Sequence, residues 1–297
     1  MNRKFNIQLF AEENITKTGD LLPEISIDHA NKFTGGIKTL QKVLGITELK
    51  KMNAGTSIKI YKYSEGNSPE QVAEGEVIPL TKFNRTLDRT IELTLKKHRK
   101  ETTAEEIQKV GKEIAVNETD EKLIKKIQKE IRDRFFTLIL DGRGTAAGVG
   151  LQSTLAQTWG KIQKVFVDED VTPIYFVSTD DIADYLGTAQ VSMQNAFGWS
   201  YIENFLGLGT VITSPFITKG KVIGTAKENL NGAYAPANTG DVAQSFGLKS
   251  DSTGIVGMKH YIADDTASIG TLAMEQIVFY PELLDGVVVG TISATGA

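Results

Sequence analysis

Hydrophobic positions along the 297-residue chain change period several times, and the changes divide it into elements. The first 36 residues mix short apolar pieces with polar ones (ENITKTGD, ISIDHANKF). They hold no sustained helical period, which predicts an extended arm in need of a docking surface. Gly35-Gly36 is a break, and IKTLQKVLGITEL, from 37 to 49, then sets Ile37, Leu40, Val43 and Leu44 at helical spacing. In GTSIKIYKY, Ile58 and Ile60 alternate with Lys59 and Tyr61, the period-two pattern of a strand with one wet face. A polar stretch with Gly66, Pro69, Gly75 and Pro79 follows, and RTIELTLKKH returns as a second alternating strand with Ile91, Leu93 and Leu95 on one face. So long a connection excludes a tight hairpin turn and predicts a two-stranded loop projecting from a body.

Residues 101 to 115, ETTAEEIQKVGKEIA, predict a short helix with acids in its first turn. A long helix over 119–141 comes next, with Asn117 or Thr119 as N-cap and Glu118, Asp120 and Glu121 at its positive end. Leu123, Ile124, Ile127, Ile131, Phe135 and Leu138 form one narrow stripe, and the last turn is apolar nearly all round. About 22 residues make a rod of roughly 33 Å. PIYFVSTDDIADYLG, from 173 to 187, predicts a buried strand, a capping turn at Ser178 and a short helix. GTVITS (209–214) and KVIGTA (221–226) predict strands, 228–254 a loop-rich stretch, DDTASIGTLAMEQIVFY (264–280) a helix stopped by Pro281, and DGVVVGTIS a last strand.

Composition changes this picture little. A net charge of −4 with 24% charged residues gives no reason to expect a polyanion-binding enzyme. With no cysteine, disulfides, thiolate zinc sites and a Cys nucleophile are excluded. The start, MNRKFNIQLFAEEN, is too broken and acidic for a signal peptide. No segment approaches the roughly 20 apolar residues of a spanning helix, so no membrane partner is expected.

Candidate chemistry is sparse. His29, His98 and His260 are far apart in sequence and none has a second ligand at metal spacing. The basic run Lys96 to Lys100 is followed at once by ETTAEE, which suits a locally compensated surface better than a phosphate patch. DGRGTAAGVG follows a helix and fits neither GxGxxG nor GxxxxGK[ST], so Gly142 is expected to be a helix stop and Arg143 to be dispensable. Asp180-Asp181 and Asp264-Asp265 stand where helix capping explains them, and neither GxSxG nor HExxH occurs. No catalytic, cofactor-binding or metal-binding residue is nominated, and no cofactor is expected.

The order of parts carries more than any motif. NIQLFAEE at the start is followed by VAEGEVIPLTKFNRTLDRTIELTLKKH, with a V-x-E-G-x-x-I-P phrase before a strand, and by KLIKKIQKEIRDRFFTLILDGRGT, closing on a DG-x-G turn. TPIYFVSTDDIADYL, GLGTVITSPFITKGKVIGTAKENLNGAY and SIGTLAMEQIVFYPELLDGVVVGTIS complete the series. Together they resemble the major capsid protein of tailed bacteriophages, particularly those of Gram-positive hosts, with the α+β Hong Kong 97 type fold also used by encapsulins. Two departures stand out: the family's proline after the strand of TPIYFVSTDD is missing, and Thr210 replaces another.

The resemblance implies an N-terminal arm (1–36), an extended loop (55–95), a peripheral domain (37–54, 96–141 with the spine helix, and 255–297) and an axial domain (142–254). It also implies a structural, non-enzymatic role in the virion: pentamers and hexamers closing in the host cytoplasm into an icosahedral shell around non-specifically held double-stranded DNA. A portal protein is an implied partner. The family's long scaffolding segment does not precede the arm, which points to a separate scaffolding protein. Lys59, Lys62 and Lys82 lie in the loop, but no motif identifies a covalent crosslink. An encapsulin-like compartment subunit is the alternative reading, and a pocket with clustered titratable groups would instead favour an enzyme.

Overall fold

A computed structural model describes residues 18–293, apart from 66–74, 76, 78–79, 81, 168, 188, 190–191 and 197–198. In chain order the elements are α1 (Thr18–Leu44), β1 (Leu49–Lys51), β2 (Ser57–Glu65), β3 (Phe83–Glu92), β4 (Lys96–Thr103), α2 (Ala104–Val110), α3 (Lys112–Ile139), β5 (Gly144–Val149) and α4 (Gly150–Val165). There follow β6 (Pro173–Ser178), α5 (Thr179–Leu186), β7 (Gln194–Ala196), β8 (Trp199–Ile202), β9 (Thr210–Ser214), β10 (Lys221–Ala226), β11 (Leu230–Tyr234) and α6 (Gly240–Phe246). The chain closes with β12 (Val256–Ala263), β13 (Ser268–Glu275), β14 (Ile277–Pro281) and β15 (Val288–Ser293).

A seven-stranded mixed sheet runs β5-β15-β10-β6-β9-β8-β7, and two three-stranded sheets run β12-β13-β4 and β1-β11-β14. Among the described residues, β2 and β3 pair only with each other. β6 is buried at every position, because both its faces are covered. Ile174 and Phe176 enter the main core, while Tyr175 and Val177 enter a second core built with Leu155 and Ile162 of α4 and Ile182 of α5. The predicted strand, Ser178 cap and helix stand: Ser178 accepts a hydrogen bond from the Asp180 backbone. β9, β10 and β15 also lie where the pattern placed them.

The 28-residue helix α3 is the spine of the molecule, about 42 Å long at the usual rise. Its stripe of Leu123, Ile124, Ile127, Ile131, Phe135, Phe136 and Ile139 is buried. Leu138 packs instead into a smaller cluster under β2 and β3. The apolar end is sunk in an aromatic box, with Phe135, Phe136, Phe176 and Trp199 at centroid separations of 5.5–6.3 Å.

Several elements depart from the sequence reading. Residues 18–36, expected as extended arm, are helical, and α1 runs straight through Gly35-Gly36 to Leu44; residues 1–17 lie outside the described part. Its inward positions do recur at three and four, but Ser26, His29 and Thr34 are among them, so the stripe does not read as apolar. The spine begins at Lys112, not at 119, and Asn117 and Thr119 are interior residues. The break is Gly111, whose φ of 87° separates α3 from α2, itself capped by Thr103. Residues 89–98 are not one strand: β3 ends at Glu92, and β4 belongs to the sheet of β13. Residues 264–280, expected as a helix, are the strands β13 and β14 with a turn before them. That segment is apolar enough to satisfy either period, and burial on both faces selects the strand. The loop-rich stretch 228–254 contains β11 and α6.

Gly35 is exposed in α1, and a Cβ placed there meets nothing within 4 Å. Gly35→Ala is therefore expected to raise the unfolding free energy by roughly 0.5–1 kcal/mol in a denaturant titration. A loss of stability would contradict a continuous α1.

Candidate functional site

The β2–β3 hairpin leaves the body with its apolar alternation intact only at the base, where Ile58, Ile60, Ile91 and Leu93 are buried. There it is clamped by charge. Lys62 of β2 pairs with Asp285 and stands 4.0 Å from Asp88 of β3. Arg143, in the turn after α3, lies 2.9 Å from Asp88 and 3.6 Å from Asp285. Arg89 donates to the Pro281 carbonyl. The hydrogen bond from Lys62 holds the Asp285 carboxyl below its usual range, while burial lowers the Arg89 guanidinium. The DGRGT turn thus touches the hairpin through Arg143, a contact that the sequence reading did not foresee. Gly142 does not have the left-handed conformation of a helix-stop glycine; a Cβ on it would lie 2.6 Å from Val287 Cγ1.

Beyond this clamp the hairpin exposes Tyr63, Phe83 and Leu87, and in its connection Val77 and Leu80 are 92% and 95% exposed. No described residue of the same chain covers them. Concentrated apolar exposure on a projecting ribbon is the mark of an interaction surface rather than of a soluble loop. An isolated two-stranded ribbon is marginal in water, so this one depends on its base and on whatever covers its outer part.

The histidines are not all apart. His260 on β12 donates from Nε2 to Asp120 Oδ2 at 2.7 Å, and its Nδ1 meets the Ser26 hydroxyl at 2.6 Å. His29 Nε2 is 3.4 Å from the same carboxylate oxygen. Lys100 Nζ and the Thr271 hydroxyl reach Asp120 Oδ1 at 2.9 and 2.8 Å. Burial alone would raise the Asp120 pKa, but hydrogen bonds from His260 and Lys100, with their charges, leave it below the usual carboxylate value of 3.8. The run Lys96 to Lys100 is a compensated surface on one face only: the exposed Arg99 pairs with Glu101, as expected, while the alternate residues turn inward, Lys100 into an ion pair with Asp120 and His98 to within 3.7 Å of Glu130. Burial lowers the His98 imidazole. A second buried pair, Arg134 with Glu275 at 2.5 Å, ties α3 to the end of β13; burial raises the Glu275 carboxyl.

Ser26, His260 and Asp120 have the spacing of a Ser-His-Asp relay, yet the His260 and Asp120 side chains have no exposed surface and Ser26 is 1% exposed. A nucleophile sealed this way meets no substrate. Among the described residues no group of three or more potential ligands could hold a metal. An apolar cleft of about 250 Å³ beside α6, lined by Leu95, Pro236, Val242 and Met274, contains one titratable residue, Asp241. Sequence spacing could not have joined Ser26, His29, Asp120 and His260; the available signal was polar residues at core positions of α1.

A scan against protein-family models finds no match, and a search among curated proteins finds none. Solved structures do match. The chain is similar to an encapsulin complex from Synechococcus elongatus (11% identity, 86% of this chain and 90% of that one, TM-score 0.55). It is similar to the capsid of an empty GTA particle (8%, 99% and 96%, 0.55) and to a virus-like particle from Pyrococcus furiosus (12%, 88% and 97%, 0.51). The fold is the Hong Kong 97 type. At these identities the likeness is one of fold, and the Hong Kong 97 type arrangement accounts for a long spine helix carrying a projecting ribbon.

Asp120→Asn leaves Lys100 buried without its counter-charge, so chemical unfolding is expected to show a loss of about 3–5 kcal/mol. The native contribution of Asp120 is present above pH 3.8 and is lost as pH falls through its lowered folded pKa. The variant should therefore lack this acid step, and an unchanged acid profile would contradict the assignment.

Proposed function

We propose that the chain is the major capsid protein of a tailed bacteriophage, probing no chemistry and acting through surface burial. The observation that carries this reading is a shell-subunit fold whose projecting ribbon exposes Val77 and Leu80, with no described residue of the same chain to cover them. The series of stretches from NIQLFAEE to DGVVVGTIS supports a phage subunit, and the sealed Ser26–His260–Asp120 group supports a non-enzymatic one.

In this reading pentamers and hexamers close in the host bacterial cytoplasm into an icosahedral shell around double-stranded DNA, with a separate scaffolding protein and a portal as partners. The loop 55–95 lies over the adjacent subunit. The peripheral part comprises 37–54, 96–141 and 255–297, and the axial part 142–254, with β15 crossing into the axial sheet beside β5. The similarity to the Synechococcus encapsulin complex favours a second reading, a compartment subunit of the same fold. A cargo enzyme gene beside this one, in place of portal and terminase genes, would select it.

Val77→Asp with Leu80→Asp is expected to abolish shells, seen by negative-stain microscopy of protein expressed with its scaffold. The far-ultraviolet circular dichroism of the soluble subunit should be unchanged, since both positions are exposed. Shells of normal yield from the double variant would sink the reading.

A further inference from the structure

Helix α1 is held to the body in two chemically different ways. From Ala30 to Leu44 its inward side is apolar apart from Thr34, with Phe33, Ile37, Leu40 and Leu44 in the main core. One turn earlier the inward residues are Ser26 and His29, and their surroundings are polar: His260 on β12, Asp120 on α3, Lys100 on β4 and Thr271 on β13. The two imidazoles lie 6.0 Å apart, centroid to centroid.

One carboxylate here faces three groups able to carry positive charge. Lys100, at 2.9 Å, already balances Asp120, so an imidazolium at His29 would be a surplus buried cation. The His29 ring reaches the cluster through Nε2. Burial lowers the His29 pKa below 6.5; Asp120 and a hydrogen bond with Asn117 oppose this, and His260 and Lys32 add to it. The remaining charges facing the site are the Lys32–Glu121 pair at its rim, 3.0 Å apart, and Glu24, Asp28, Lys112 and Glu113, which line the cleft between α1 and the start of α3.

We propose that the first turns of α1 are an acid-released latch: a proton taken up by the His29 imidazole frees residues 18–29 from α3 and β12, while the apolar half of the helix stays docked. The sign follows from linkage. A histidine held neutral by burial takes its proton more readily once released, so the released state gains as pH falls through about 6.5 towards the lower folded value. Above that range the latch contributes no pH dependence. The Asp120 step lies lower, below 3.8, and is separable. The latch stands whether or not the chain builds a shell.

Hydrogen exchange on the full-length protein, read by mass spectrometry from about pH 7.5 to about pH 5.5 and corrected for intrinsic rates, tests this directly. Protection over 18–29 is expected to fall several-fold on acidification while 33–44 and the α3 stretch 123–139 stay protected. His29→Gln, which cannot take up the proton, should flatten the dependence. A fall that persists in His29→Gln, no fall in the parent, or a simultaneous loss across 33–44 and α3 each overturns the latch. Protection of α3 at the higher pH checks that the variant folds.

Discussion

Burial of one side of α3 is the constraint on which the other parts depend. Seven apolar side chains on that side, each contributing roughly 1.5–3 kcal/mol when fully buried, fix the helix against α1, β4 and β14. Its C-terminal end is locked twice, by the aromatic box around Phe136 and by the contact of Gly142 with Val287, which ties the spine to the strand leading into the seven-stranded sheet. Because that end is rigid, Arg143 beside it can hold Asp88 of the ribbon at a fixed place. Spine, sheet and ribbon are therefore mechanically one unit, with the ribbon's outer part left over.

In the proposed reading that left-over part gives the fold its use. Ordering a backbone residue costs roughly 1–2 kcal/mol, and a ribbon with water on both sides recovers little of it. The apolar side chains beyond the clamp are an unfavourable feature in a monomer and a favourable one against a neighbour. The clamp charges serve the same end by setting the direction in which the ribbon leaves. Sealed polar groups around Asp120 and Glu275 add orientation to the packing rather than reactivity, each joining α3 to a strand that is distant in sequence.

Elements governed by local pattern were legible in the sequence. β6 with its Ser178 cap, β9, β10, β15, the first strand of the ribbon and the apolar end of the spine all follow from period, capping chemistry or an unbroken apolar run. Elements governed by tertiary context were not. α1 is helical across two glycines because Phe33, Ile37 and Leu40 are buried beside it, and its polar inward residues find partners on α3 and β12. Asp120 looked like first-turn acid because its neighbours Glu118 and Glu121 are acids, whereas its partners lie on β4, β12 and β13. β13 and β14 satisfied a helical period, and only burial on both faces distinguishes them. The candidate surface was visible as a projecting loop, but its anchorage by Lys62, Arg143 and Asp285 joins three separate stretches and had no local signal.

The central claim is that the ribbon exists to be covered by another copy. A cryo-electron microscopy map of particles formed by the full-length chain with its scaffold tests it most directly. The account predicts closed shells in which residues 57–92 of each subunit lie on an adjoining one, with Val77 and Leu80 buried in the contact. Particles in which that ribbon projects freely into solvent, or folds back on its own subunit, would contradict it.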